Sequence, residues 1–225
     1  MDRGLQCSLM TDQRDHILTC ACDLYLEDGL DGFSMRKLAR AVGVTAPALY
    51  RHYESKERLL LDVVGEAYKR LAEYLYRGLQ GRTPEERFRM AGQEYLVFAL
   101  ENPRMYEVLF TFPDLVRLPE APEEVRDQAC AIGQFWNDRV RECMDAAILR
   151  AGDPDEVGQT LWAHAHGMIS LYLRGNLQVD EAGFRAMYGA STRRLLMGLG
   201  TPEYGERIRS EGRAGLVEGV TDATA

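Results

Sequence analysis

Apolar residues recur along this chain at helical spacing, and no run alternates apolar with polar residues for long enough to form a strand. Long periodic stretches are separated by short breaks at Gly, Pro, Asp or Asn, and no solenoid-like repeat is visible. The pattern predicts an all-α protein whose helices bury their apolar stripes against one another. A first helix is expected over about 11–28, where Ile17, Ala21, Leu24 and Tyr25 share a face and Gly29 suits a left-handed end. Ser34 is the N-cap expected for a short helix to Val42, which Gly43-Val44 breaks. Thr45 caps the next, with Pro47 in its first turn and an end near Tyr53. Ser55 then starts a longer helix carrying Leu59, Leu60, Val63, Val64, Ala67 and Leu71. Further helices are expected at about 84–101, 103–110, 122–151, 154–174 and 180–199, with Phe112-Pro113-Asp114 and Leu118-Pro119 marking a loop.

Charge is unevenly placed on this frame. The 225 residues carry a formal charge of −8, with 46% apolar and 28% charged residues. Those totals suit a globular chain of one or two domains and argue against a uniformly basic coat for nucleic acid. From Ser34 to Arg58, however, there are six basic residues (Arg36, Lys37, Arg40, Arg51, Lys56, Arg58) and two acidic ones (Glu54, Glu57). That segment is +4 and leaves −12 for the remainder. Two short helices joined by a tight Gly-containing turn form a helix-turn-helix, whose second helix is sized for the major groove. A basic island on an acidic body is the footprint of a surface that faces phosphates.

The run Gly43-Val44-Thr45-Ala46-Pro47-Ala48-Leu49-Tyr50-Arg51-His52-Tyr53-Glu54-Ser55-Lys56 resembles the recognition helix and following turn of TetR-type regulators. Ile17-Leu18, Glu27-Asp28-Gly29 and Phe33-Ser34 fall where that family's first helix and its end are expected, so the resemblance extends over about 12–71. It implies that Arg36, Thr45, Ala46, Pro47, Ala48, Tyr50, Arg51, His52 and Lys56 face double-stranded DNA. Their chemistry fits. The Thr45 hydroxyl and the free helix-end N–H groups can meet a phosphate. Arg51 and Arg36 can reach a guanine edge or a phosphate, and Pro47 and Ala48 offer apolar contact to a thymine methyl. Tyr50, His52 and Lys56 suit flanking phosphates. Ala46 and Ala48 stand where many relatives carry polar base readers, which shifts sequence preference towards DNA shape. Leu49 and Tyr53 are expected in the core.

The expected organisation is a flexible N-terminus at 1–10, a helix-turn-helix domain at 11–57, a linking fourth helix at 56–78, a ligand-binding and dimerisation domain at 79–200, and a flexible tail at 201–225. By resemblance, the last two helices pair two copies into a homodimer. Leu161-Trp162-Ala163-His164-Ala165-His166-Gly167 and Tyr95–Pro103 are similar to one C-terminal ligand-domain subfamily with a Trp…His-Gly signature. Candidate walls of a pocket for a small apolar or aromatic effector are Phe98, Met105, Tyr106, Phe110, Phe135, Trp136, Met144, Trp162, His166 and Met168. Trp162 and His166 share a helix face while His164 points away, so the two histidines do not suit one metal, and no metal or cofactor is expected. The function expected is a repressor that binds a palindromic operator and is released by that effector.

Other classes fit less well. Ser34-Met35-Arg36-Lys37 matches an S-x-x-K pattern but lacks its companion motifs, and no other hydrolase or phosphate-loop motif is present, so a small hydrolase-like enzyme is disfavoured. A thiol- or oxidant-sensing regulator would use Cys20, Cys22, Cys130 or Cys143, but Cys20 and Cys22 stand about 200° apart on a helix. Five cysteines, an odd number, suit reduced thiols. Residues 1–16 have no apolar signal-like core, and the charge-free Val157–Leu173 is too short and too polar to span a bilayer. The expectation is a cytoplasmic chain without a membrane partner.

Overall fold

The computed structural model describes residues 3–111 and 121–210, with side chains from residue 13 onward except at 111. Its helices are α1 (Arg3–Gly32), α2 (Met35–Val42), α3 (Ala46–Leu49), α4 (Lys56–Arg77), α5 (Pro84–Glu101), α6 (Pro103–Thr111), α7 (Glu123–Asp145), α8 (Pro154–Leu173) and α9 (Glu181–Leu199). A 3₁₀ turn covers Gly78–Gln80, and residues 202–210 are also helical (α10). Among the described residues there is no strand, only an isolated antiparallel bridge between Leu149 and Gly200. The all-α expectation holds there. The loop expected at Phe112-Pro113-Asp114 and Leu118-Pro119, and the tail beyond 210, lie outside the described residues.

The chain divides into two compact units, the first from 1–73 and 101–132 and the second from 74–100 and 133–225. The first takes in α6 as well as the helix-turn-helix. Within it α1 packs on α2 and on α6, and α2 packs on α3. Ile17, Ala21, Tyr25, Leu38, Leu49, Tyr53, Leu59 and Val63 are at most 1% exposed and form its core. Asp62 accepts ion pairs from Arg14 at 2.9 Å and from Arg58 at 3.3 Å, and the Arg14 guanidinium lies 5.0 Å from the Tyr53 ring centroid. α1 is thereby tied to α4 behind the short helices.

The second unit buries Phe88, Val140, Cys143 and Leu149 against Met144, Ile148, Val157, Leu161, Leu196 and Leu199. α8 packs on α9, with the Tyr172 and Phe184 rings stacked 4.1 Å apart. Burial of these apolar side chains stabilises the unit by ~1.5–3 kcal/mol each, before the cost of ordering them.

Helix ends follow their capping chemistry. The Ser34 hydroxyl accepts from the Lys37 N–H at 3.2 Å, and Ser55 accepts from Arg58 N–H at 3.1 Å. Asp153 and Asp180 cap α8 and α9 in the same way. Gly29 has φ 67° and ψ −172°, a conformation open to glycine, and it kinks α1 instead of ending it, so the helix runs on to Gly32. Gly43, at φ 78°, ends α2 with the Val44 N–H bonded to Ala39 O.

Four helix limits differ from expectation. α1 begins at Arg3, not near Thr11, because no proline interrupts that stretch. α3 is a single turn ending at Leu49; Arg51 N–H to Ala48 O and His52 N–H to Leu49 O continue it as tight turns. α7 stops at Asp145, where Ala147 takes φ 54° and Ile148 N–H returns to Cys143 O at 2.8 Å. The expected flexible tail is helical over 202–210: Tyr204 and Ile208, one turn apart, are 7% and 8% exposed, and Arg207 pairs with Glu85. Two apolar residues suffice to dock so short a helix but make too short a pattern to read.

Candidate nucleic-acid interface and cavity

In the first unit α2 holds its basic face outward, and the polar residues that flank α3, Thr45, Tyr50 and Arg51, are exposed. Leu49 is fully buried, which turns the opposite side of α3 to the surface. Thr45 is exposed, and its hydroxyl accepts from Ala48 N–H at 3.4 Å, so the helix start presents a hydroxyl, while Pro47 has no N–H and the Ala48 and Leu49 N–H groups bond back to Thr45. Pro47, Tyr50 and Arg51 are exposed, Tyr50 by 49%, while Ala46, Ala48 and His52 are half-buried. Arg36 and Arg40 are exposed on α2, and among the described residues neither they nor Arg51 enter an ion pair. Lys37 is used internally: its ammonium binds Asp28 at 2.9 Å and Gly32 O at 2.9 Å. Leu49 and Tyr53 are core residues, as expected, and burial pushes the Tyr53 phenol up to about 12.

Lys56 is placed differently from a free phosphate ligand. Its ammonium donates to Phe33 O at 2.9 Å and Leu30 O at 3.4 Å, and lies 5.6 Å from the Phe33 ring centroid. It ties the start of α4 to the carbonyls at the end of α1, the end a cation stabilises.

The second unit contains a cavity of ≈ 600 Å³ between α5, α7, α8, α9 and α10. Phe88, Tyr95, Trp136, Trp162 and Tyr188 supply aromatic walls. Of the ten sequence-predicted effector residues, Trp136 and Trp162 line it. The other eight do not. Phe98 is fully buried, edge-on to Tyr74 at 5.5 Å. Tyr106 packs on Phe110 at 4.7 Å in the first unit, to which Met105 also belongs. Phe135 packs against Tyr76, Met144 joins the Val140–Leu149 cluster, and Met168 lies outside the lining. His166 stacks on Trp162 at 5.4 Å and contacts Ser170. His164, set aside from the sequence, lines the cavity; it stacks on Tyr188 at 6.3 Å and meets the Thr192 hydroxyl at 3.5 Å. Burial lowers the pKa of both histidines, and burial pushes Tyr188 up to about 12.

Sequence reasoning missed Arg89, Gln93, Arg185, Thr192 and Arg193, all cavity-lining. A signal was available: Arg185, Tyr188, Gly189, Thr192, Arg193 and Leu196 recur at helical spacing, a stripe of mixed polarity on one face of α9. Three of the thiols are poorly suited to sensing. Burial pushes Cys22 and Cys143 up to about 12, and Cys20 is raised too, so these three stay protonated. Among the described residues no cluster suits a metal, and no helix is long and apolar enough to cross a membrane.

A cationic helix-turn-helix with its polar face outward, joined to a helical unit with a cavity, defines a one-component DNA-binding regulator. Residues 17–63 match the model for bacterial regulatory proteins of the tetR family, and residues 88–195 match that for the tetracyclin repressor-like C-terminal domain. The chain is 31% identical over 191 residues to the tetracycline repressor protein class A from transposon 1721 of Escherichia coli, covering 76% of this chain and 82% of that protein. A solved protein of unknown function from Rhodococcus sp. RHA1 has the same fold, with a TM-score of 0.73 at 24% identity over 84% of this chain and 96% of that one. AibR, solved with isovaleryl coenzyme A and operator DNA, matches at a TM-score of 0.59 and 19% identity over 79% and 97% of the two chains. The chain belongs to the tetR family of DNA-binding transcriptional regulators.

Proposed function

We propose that this regulator is a repressor that binds a palindromic operator and lets go when a small molecule with an apolar or aromatic body occupies the cavity of its second unit. Arg36, Thr45, Tyr50, Arg51 and His52 bind the duplex, with Ala46, Pro47 and Ala48 close to the base edges. Lys56 holds the α1 end in place and adds its charge. α8 and α9 join the two copies, a role that suits their exposed Trp162 (43%), Leu171 (43%) and Met187 (38%). Two-fold pairing matches half-sites about one helical turn apart. The effector acts by favouring the arrangement of the two heads that does not fit the operator, and ~1–3 kcal/mol of coupling changes DNA affinity several-fold to a hundred-fold. The chain works in the cytoplasm and performs no catalysis.

The observation that carries this reading is one chain holding outward arginines on a helix-turn-helix and, in another compact unit, a cavity of ≈ 600 Å³. The test is selection of duplexes from a random pool, followed by displacement with small aromatic compounds that raise the thermal midpoint. Palindromic enrichment and release by such a compound are expected. No enrichment, or stabilising compounds that never release DNA, would overturn it.

A further inference from the structure

We propose that the cavity of the second unit takes an amphipathic anion: an aromatic or alkyl body lying between the aromatic walls, with a carboxylate or similar acidic group bound by Arg89 and Arg193. This rests on the reading of the cavity as the effector site and adds the charge of its ligand.

The charged side chains around the cavity are already partly spoken for. Glu85 pairs with Arg207, and Arg185 pairs with Glu181 at 2.8 Å. Arg89 and Arg193 remain, exposed at the lining, and among the described residues neither enters an ion pair or a side-chain hydrogen bond. Two uncommitted guanidinium groups at one cavity are notable in a chain of net charge −8. A guanidinium matches a carboxylate with two parallel N–H donors, which a neutral ligand cannot use as well. Gln93 and Thr192, each on the same helix stripe as one of these arginines, add neutral polar groups beside them.

Two glycines support a body of some bulk. Gly92 in α5 and Gly189 in α9 both line the cavity, and a Cβ at either would meet nothing within 4 Å. Glycine inside a helix is disfavoured relative to alanine. No neighbour demands it at these two places, so what the missing side chains preserve is room.

The test uses the full chain and two dyes with one ring skeleton: anionic 8-anilino-1-naphthalenesulfonate and neutral N-phenyl-1-naphthylamine. The anion is expected to bind about ten-fold more tightly at low salt, a preference that shrinks as salt rises. In the double variant R89Q/R193Q the preference disappears while the neutral dye binds as before. Equal binding of the two dyes by the unaltered chain, or an unchanged preference in the variant, overturns the anion inference and leaves the effector site standing. Gly92→Leu and Gly189→Leu, tested separately, should each weaken both dyes about ten-fold without lowering the thermal midpoint. If neither substitution affects either dye, the dyes bind elsewhere, and both this inference and the effector reading beneath it fail.

Discussion

Among the described residues, both compact units hold arginines that enter no ion pair, yet the surroundings of the two sets differ. In the first, Arg36, Arg40 and Arg51 stand on the exposed faces of α2 and of the turn after α3, over a core whose Leu38 and Leu49 are fully buried. In the second, Arg89 and Arg193 edge a cavity of ≈ 600 Å³ with aromatic walls. A cation on a filled, convex-packed helix pair can meet an extended polyanion such as DNA, whereas a cation beside an empty volume can meet a small anion whose body fills it. What a guanidinium recognises is decided by the shape around it.

The comparison can be broken at several points. The largest expected effect is on the core that turns the first set of arginines outward: Leu49→Ala should destabilise by ~2–5 kcal/mol and abolish DNA binding at 37 °C, read by thermal unfolding and gel shift. Next, R36Q/R51Q, which removes four arginines from the dimer, should weaken operator binding at least about 100-fold and lower the salt slope by up to about 4, with the thermal midpoint and dye binding unchanged. R89Q/R193Q should do the reverse, so a loss of DNA affinity in both would erase the distinction. Lys56→Met comes third. Its ammonium satisfies Phe33 O and Leu30 O, so unfolding should be easier by ~1–3 kcal/mol, and DNA affinity should fall with it.

A smaller effect compares two helix ends of one design. α2 and α7 each finish with the same backbone bonding, but the left-handed residue is Gly43 in one and Ala147 in the other. Ala147→Gly should stabilise by about 1 kcal/mol, and Gly43→Ala should destabilise by about as much. The smallest effect concerns pH. His164 and His166 are held below the ordinary 6.5 by burial, with the Arg174 charge adding at His166. Just below pH 6.5 the unfolded chain therefore binds protons that the folded chain refuses. Stability should be level above about pH 7.5 and fall as pH drops through 6.5 towards the lower folded values. A thermal midpoint that rises on acidification would reverse that assignment.

How much was legible varies with how local the interaction is. Ser34, Thr45 and Ser55 were readable as caps because a cap bonds to a backbone N–H three residues away, and each does so. Leu49 and Tyr53 were readable as core from their place on a short amphipathic helix. Lys56 was not, because its partners Leu30 and Phe33 lie 26 and 23 residues back along the chain. The effector residues fared worse for a related reason. Phe98, Tyr106 and Trp136 are equally aromatic, but one fills a core, one belongs to the other unit, and one faces empty space. The α10 helix escaped notice because its burial depends on Tyr204 and Ile208 docking against distant helices.

By itself, then, the order of amino acids settled what acts within a few residues: helix type, most helix starts, and the cationic island on its short helices. Tertiary packing alone decided where the second unit would stay unfilled and which arginines would border that space. An empty volume is the gap left between helices far apart along the chain, and no local propensity encodes it.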